Sequence, residues 1–208
     1  MFKEKIQKLI SLSGYELKKI HPDLSSAQEN NFEVPYDKIH YGAGLSLLKG
    51  WVNADFFVYW DDNNFPDQIK IDLSKRHPFA DATFNFGYSQ DFLEHLTQAD
   101  QIIFLEEVFR TFKPGGVLRL SFPGLEGSLK KYFSDKNYSG CVAGKRAAFT
   151  DHLHFHLPSF EELVFICRYL GFSEIKKVNY GHSIHSELCN LDTREGQVEL
   201  NTFVEIIK

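Results

Sequence analysis

The sequence predicts an α/β protein built on a doubly wound, mostly parallel sheet, with an antiparallel strand pair at its carboxy terminus. Three observations carry this. Short apolar runs alternate with segments of helical period, and the runs are apolar enough to be buried on both faces, as parallel strands are. The first run leads into a glycine turn, Tyr41-Gly-Ala-Gly44, and then into a second run, Gly50-Trp-Val-Asn-Ala-Asp55, that ends in an acid. The last two runs are joined by a polar loop, which permits antiparallel pairing.

The elements follow in order. Phe2, Ile6, Ile10 and Leu17 stand at near-helical spacing, so one or two short helices form an amino-terminal appendage over residues 1–34. Strand one is expected at Ile39 to Tyr41 and strand two at Trp51 to Ala54. Gln68 to Leu73 approaches the sheet again, and Asn85 to Ser89 follows the turn His77-Pro-Phe-Ala-Asp-Ala82. From Gln98, the residues Ile102, Leu105, Val108, Phe109 and Phe112 share a helical face, and Lys113-Pro-Gly-Gly116 ends that helix. Val117 to Phe122 is an apolar strand interrupted by Arg119. Residues 124–156 are rich in glycine, lysine and tyrosine, and read as a surface insertion with a partial helix, positioned to cap a substrate. Ser159 and Glu162 form a capping box for a helix from Phe160 to Leu170, stopped by Gly171. Ile175 to Asn179 and Leu200 to Ile207 are the final strands. The 208 residues fit one domain, 1–208.

Composition narrows the function. Hydrophobic residues at 43% and charged residues at 25% are globular values, while 20 Phe and 9 Tyr predict an aromatic core. A formal charge of −5 supplies no general attraction to nucleic acid or an anionic membrane, so neither is an expected partner. Cys141, Cys167 and Cys189 are odd in number and far apart, the usage of a reducing compartment. The charged start Met-Phe-Lys-Glu-Lys-Ile lacks a signal-peptide core, and no run approaches the roughly 18 apolar residues of a membrane span. A cytoplasmic protein is expected.

The glycine turn carries the first chemical reading. Gly42 and Gly44 lack Cβ atoms, so a ligand can lie against the backbone, and Asp55 can accept two hydrogen bonds from the vicinal hydroxyls of a ribose. The plainer reading is an ordinary turn with a solvated Asp. A nicotinamide dinucleotide site fits poorly: the third glycine of its fingerprint is Leu47 here, and the acid comes only 11 residues after Gly44. A nucleoside cofactor without phosphates fits better.

The combination of Tyr41-Gly-Ala-Gly44, Gly50-Trp-Val-Asn-Ala-Asp55, Pro78-Phe-Ala-Asp-Ala-Thr-Phe84, Phe92-Leu-Glu-His-Leu96, Glu107-Val-Phe-Arg-Thr-Phe-Lys-Pro-Gly-Gly116 and Arg119-Leu-Ser-Phe-Pro123 resembles the class I S-adenosylmethionine-dependent methyltransferases, in particular a small bacterial type often encoded beside cell-surface glycan genes. The resemblance runs from about residue 38 to the end. It implies the Rossmann-like methyltransferase fold, S-adenosyl-L-methionine as cofactor, and a small-molecule or glycan-like acceptor. It further implies that Tyr41, Gly42, Ala43 and Gly44 line the methionyl part of the cofactor and that Asp55 binds the ribose. Asp72 and Leu73 fall beside the adenine, and Ser89 and Gln90 beside the transferable methyl. Ala43 replaces the family's common Cys. Asn85 and Asp91 stand where the family usually has Asp and often has His, so a non-catalytic cofactor-binding protein is the alternative to an enzyme. A nicotinamide-dependent oxidoreductase comes third. Glu94 and His95 are expected to serve the fold.

A sulfonium methyl is already activated, so a dedicated base is needed only for an acceptor of high pKa such as a sugar hydroxyl. His152-Leu-His-Phe-His156 would set three imidazoles on one face if extended. Solvated or core histidines, a substrate contact or base, and a metal site all fit that row. His154 is the candidate catalytic residue. No Cys or Asp pair at ligand spacing supports a metal, so none is assigned. His182 and His185 belong to a late loop, Gly181-His-Ser-Ile-His-Ser-Glu187, expected to be solvated.

Overall fold

The computed structural model describes residues 34–57, 68–133 and 135–208, all within the compact unit Asn31–Lys208. The predicted helices of residues 1–34 lie outside the described residues, apart from Val34 at their end.

The sheet strands are β1 (Lys38–Tyr41), β2 (Val52–Asp55), β3 (Gln68–Lys70), β4 (Phe84–Gln90), β5 (Phe112–Pro123), β6 (Glu174–Lys177) and β7 (Asn201–Ile207). They form a seven-stranded sheet in the order β3-β2-β1-β4-β5-β7-β6. The first five pair in parallel, whereas β7 runs antiparallel to both β5 and β6. The predicted antiparallel terminal pair is therefore present, with β7 inserted beside β5 and β6 pushed to the edge. The chain steps outward from β1 to β3, then returns to lay β4 on the other side of β1. The carboxyl ends of β1 and β4 thus flank the point where strand order reverses, which is where open α/β sheets bind ligands.

Among the described residues, four α-helices accompany the sheet: α1 (Gln98–Thr111), α2 (Leu125–Tyr132), α3 (Tyr138–Ala148) and α4 (Phe160–Leu170). Thr97 caps α1 by accepting the Asp100 backbone N–H. Its buried face is Gln101, Phe104, Leu105, Val108 and Thr111, so the predicted face is rotated. Ile102 is exposed, and Phe104 packs edge-on against Tyr41 and Phe92. Phe104 sits one position from Leu105, about 100° around the helix, and its larger ring decides which side faces the sheet. Full burial of such a ring is worth about 1.5–3 kcal/mol.

The α4 boundaries match the prediction. Ser159 Oγ accepts the Glu162 N–H at 3.0 Å, and Gly171 closes the helix at φ 102°. Glu162 does not complete the predicted box: its Oε1 accepts Gln98 Nε2 and lies 2.9 Å from His156 Nε2. The 124–156 insertion holds two helices, where a partial one was expected. Strand β5 begins earlier than predicted, because Lys113-Pro-Gly-Gly116 already follows the path of the strand after Thr111.

Gly87, inside β4, shows a packing glycine. A Cβ there would sit 2.5 Å from the Phe112 ring, so its absence lets that ring lie on the sheet.

Candidate active site

The glycine turn leaves β1 with Gly42 at φ 64° and Gly44 at φ 51°, both in the left-handed region. Gly42 and Ala43 donate their N–H groups to the Ala54 carbonyl at 2.9 and 3.2 Å. Asp55, at the end of β2, clamps the turn: its Oδ2 accepts the Gly44 N–H at 2.8 Å and its Oδ1 accepts the Phe57 N–H at 2.9 Å. Asn53 holds the next loop by accepting Leu48 N–H and donating to the Leu48 and Trp51 carbonyls. The two glycines differ in purpose. A Cβ on Gly42 would lie 2.6 Å from the Phe92 ring, whereas one on Gly44 would meet nothing within 4 Å. The open side of the turn is at Gly44, beside Asp55.

The other predicted cofactor residues divide into groups. Tyr41 and Leu73 are buried in the core, so their side chains face away from any ligand and only their backbones border the turn and the β3 edge. Asp72 is half-buried, with Oδ1 accepting both the backbone N–H and the hydroxyl of Ser74. Ser89 pairs in register with Tyr41, and its buried Oγ has no hydrogen-bond partner. Gln90 is pinned: its Oε1 accepts Tyr88 OH at 2.9 Å and Thr193 N–H at 2.9 Å.

Asn85, flagged by sequence, stands at the opposite end of β4, donating its side-chain amide to Asp37. Five residues of strand, about 16 Å, separate it from Gln90. It is a structural residue of the strand's amino end.

Two clefts meet beyond β4. The first, about 180 Å³, lies over the reversal point and is lined by His40, Gly42, Ala43, Tyr88, Gln90 and Thr193 among others. The second, about 340 Å³, is lined by Glu94, His95, Lys131, Tyr132, His152 and His154. Asp91 and Arg194 border both. Asp91 adopts φ 49°, a left-handed conformation costly for a residue other than glycine. Asn201 Nδ2 donates to its Oδ1 at 2.8 Å, and Arg194 Nε lies 3.0 Å from its Oδ2. Burial raises the pKa of this carboxyl above the usual range, against the pull of Asn201 and Arg194. Sequence reading noted Asp91 only as a departure from a pattern. Its place between two clefts had no local signal.

The histidine row is not a strand. Thr150–His152 is a 3-10 turn and Leu153 is left-handed at φ 58°, so the three rings diverge. His156 turns to Glu162, while His152 and His154 stack at 5.4 Å. His154 points into the second cleft. Its Nδ1 lies 2.8 Å from the Ala148 carbonyl and its Nε2 4.0 Å from Glu94 Oε1. His95 repeats the arrangement, with Nδ1 3.3 Å from the Leu153 carbonyl and Nε2 4.0 Å from the same oxygen. A carbonyl accepts only N–H, so each ring carries a proton on Nδ1, and in its neutral form each presents a lone pair at Nε2. Burial lowers the His154 pKa, which favours that neutral form. The Glu94 side chain is 1% exposed, its Oε2 has no hydrogen-bond partner, and burial pushes its pKa up to about 8. Glu94 and His95 were expected to serve the fold. The Glu94 backbone does, accepting Phe155 N–H at 2.8 Å, but its carboxyl faces the cleft.

The loop that carries Thr193 and Arg194 is anchored by Arg119 in the middle of β5. This fully buried guanidinium donates to the Asp192 carboxylate, to Glu205 Oε1 at 3.2 Å, and to the His182 and Asn179 carbonyls at 2.8 and 3.0 Å. A lone arginine in an apolar strand was the available signal, but its partners were not readable.

Comparison with known proteins agrees with this layout. The family described as "Methyltransferase domain" matches residues 57–120. A S-adenosylmethionine-dependent methyltransferase structure from Mesorhizobium loti superposes with TM-score 0.53 at 13% identity, covering 84% of this chain and 92% of that one. One from Archaeoglobus fulgidus gives 0.52 at 15% identity, covering 99% and 94%. A putative methyltransferase from Haloferax volcanii, solved with the Trm112 methyltransferase activator, gives 0.52 at 17% identity, covering 84% and 85%. No curated protein matches the sequence. At such identities the structural likeness establishes the fold, that of the class I methyltransferases. The domain match over residues 57–120 agrees with that fold.

Proposed function

We propose that the protein transfers a methyl group from S-adenosylmethionine to a polar small-molecule or glycan-like acceptor held in the second cleft. The observation that carries this reading is the shared wall. The cleft at the strand-reversal point and the histidine-lined cleft both include Asp91 and Arg194, so a methionyl group in one faces an acceptor in the other.

The residues fit the cofactor. Asp55 retains lone pairs beyond its two backbone bonds, Gly44 is open on its outer side, and Ser89 carries an unpaired buried hydroxyl beside the turn. The first cleft, about 180 Å³, is smaller than the roughly 300–1,000 Å³ of whole-ligand pockets, so it suits the amino-acid end while the nucleoside lies outward along Asp55 and Asp72. When bound, S-adenosylmethionine supplies a methyl on a positively charged sulfur, which leaves the chain to align the acceptor and exclude water. His154 presents its Nε2 lone pair to the acceptor cleft, and Lys131 and Arg194 add positive charge there. That lining of three imidazoles, two cations and two carboxyls favours a hydroxyl-rich or charged acceptor over an apolar one. Asn85 lies away from the site, which removes one of the two grounds for a non-catalytic protein.

Among the described residues no helix is long and apolar enough to cross a membrane. The cytoplasm is the proposed compartment, supported by three free cysteines. Neither nucleic acid nor a membrane is a proposed partner.

The test is calorimetry of S-adenosylmethionine binding to the parent and to Asp55→Ala, followed by turnover with labelled cofactor across a panel of polar acceptors. Loss of a charged acceptor of hydrogen bonds should weaken binding by about 1.5–3 kcal/mol, about ten- to a hundredfold. Equal affinity in a folded Asp55→Ala variant would remove the ribose assignment, and methyl transfer confined to apolar acceptors would remove the proposed acceptor class.

A further inference from the structure

We propose that Glu94, His95 and His154 form a binding site for a divalent transition-metal cation of the zinc or cobalt type in the acceptor cleft. The carboxylate oxygen of Glu94 and one ring nitrogen from each histidine all lie within 4.8 Å of one another. Both imidazoles place Nε2 4.0 Å from Glu94 Oε1, too far for a hydrogen bond. With Glu94 ionised and both imidazoles neutral, three electron-pair donors converge, and Glu94 Oε2 is a buried polar atom without a partner. The cost falls on Glu94, the buried member, whose unpartnered oxygen calls for a proton or a cation, while His95 is exposed at the cleft. A proton on Glu94 does not join the group together, because at 4.0 Å it reaches neither imidazole. A cation does.

The surroundings match those of ligating histidines. Each ring is oriented by a carbonyl on its far nitrogen, Leu153 for His95 and Ala148 for His154, the outer contact that fixes the tautomer of metal-bound imidazoles. The Glu94 carbonyl accepts the N–H groups of Phe155 and His156 at 2.8 and 3.3 Å, which ties the two ligand-bearing segments together. With bonds of about 2.0–2.2 Å, a tetrahedral cation holds its ligands about 3.4 Å apart, so closure from separations of at most 4.8 Å needs side-chain shifts on the order of an ångström. Two nitrogens and a carboxylate select zinc, cobalt, iron or manganese over calcium or magnesium. Three protein ligands facing a cleft of about 340 Å³ leave coordination positions open to an acceptor oxygen. This last step rests on the methyl-transfer reading and assigns the acceptor as an oxygen ligand; the metal site itself does not depend on it.

The test uses the untagged full chain, freed of metal with a chelator and titrated with Co²⁺ alone. Visible absorbance reports the coordination, and competition with Zn²⁺ reports the affinity. One equivalent of Co²⁺ should bind with the intense bands of a four- or five-coordinate ion, and Zn²⁺ should displace it. Loss of outer-shell partners alone typically costs 10- to 100-fold in affinity, so Glu94→Gln, His95→Ala and His154→Ala should each exceed about tenfold, while His152→Ala should bind as the parent does. Absence of Co²⁺ and Zn²⁺ binding in folded parent protein overturns the proposal. So does unchanged binding in folded Glu94→Gln and His154→Ala. Metal binding without cofactor binding would leave the site standing and defeat the methyl-transfer reading; methyl transfer in metal-free protein that binds no cation would do the reverse.

Discussion

Arg119 and Glu94 are both ionisable side chains withdrawn from water, yet their environments are opposites. The three guanidinium nitrogens of Arg119 are all engaged, by two carboxylates and two carbonyls, with only Glu205 Oε2 left over among the described groups of that cluster. Glu94 has one carboxyl oxygen, Oε2, with no partner, and the Nε2 atoms of His95 and His154 lie 4.0 Å from the other, Oε1. The first is a clamp that holds the 179–194 loop to the sheet. The second carries a buried cost that the fold does not need. A buried carboxyl left short of partners beside a cleft is a candidate for chemistry, whereas one enclosed by a satisfied guanidinium serves the fold.

The largest effect expected from breaking this contrast is at Arg119. Arg119→Met removes one side of a buried ion cluster and leaves Asp192 and Glu205 uncompensated, at a cost of about 3–5 kcal/mol in urea unfolding. A loss under 1 kcal/mol would mean that the cluster is not the clamp described.

Next come buried groups kept neutral. His40 and His77 are both held at a pKa of about 4, chiefly by burial. Their folded values lie below the unfolded 6.5, so their contribution is complete above pH 6.5 and is lost as pH falls toward 4. For His77 the loss between pH 8 and 5 is about 2 kcal/mol. His77→Phe should flatten the pH dependence of stability by that amount, and a parallel profile for parent and variant would sink the assignment.

Gly44 tests the cofactor edge, where space rather than charge is held open. Gly44→Val places a β-branched residue at φ 51° with no atom in its way, so its folding cost should be the conformational one, about 1–2 kcal/mol. Cofactor affinity should fall further than stability does. If a folded Gly44→Val binds S-adenosylmethionine as the parent does, the glycine serves only the turn.

The smallest effect on stability is expected at Glu94 itself. Glu94→Gln keeps the shape and removes an ionisable group that lacks a full set of partners, so unfolding in chelator should change by less than about 1 kcal/mol. A loss as large as that of Arg119→Met would make Glu94 a structural residue and erase the contrast.

What could be read from sequence followed the range of each signal. Helix α4 was legible to the residue because Ser159 and Gly171 are local stop and start signs, and β1, β2 and the glycine turn because apolar runs and Gly42 to Gly44 act on their immediate neighbours. The rotated face of α1 depended on which ring, Phe104 or Ile102, wins a place against Tyr41, a tertiary matter. Arg119 finds its partners 73 and 86 residues away. His154 was singled out on the premise that the row is a strand, and Leu153 breaks that strand. Glu94 was expected to serve the fold, because nothing near it foretells that His154, 60 residues on, lies beside its carboxyl together with the adjacent His95.

The wall shared by the two clefts has a consequence for binding order. Arg194 and Asp91 touch both spaces, so a ligand that moves this pair alters the affinity of the other cleft. Linkage requires the influence to be reciprocal: whatever factor the cofactor adds to acceptor binding, the acceptor returns to the cofactor. If the first cleft holds the methionyl end of the cofactor, loss of the sulfonium charge on methyl transfer would change what the Asp91–Arg194 pair faces, and these two residues would then influence product release.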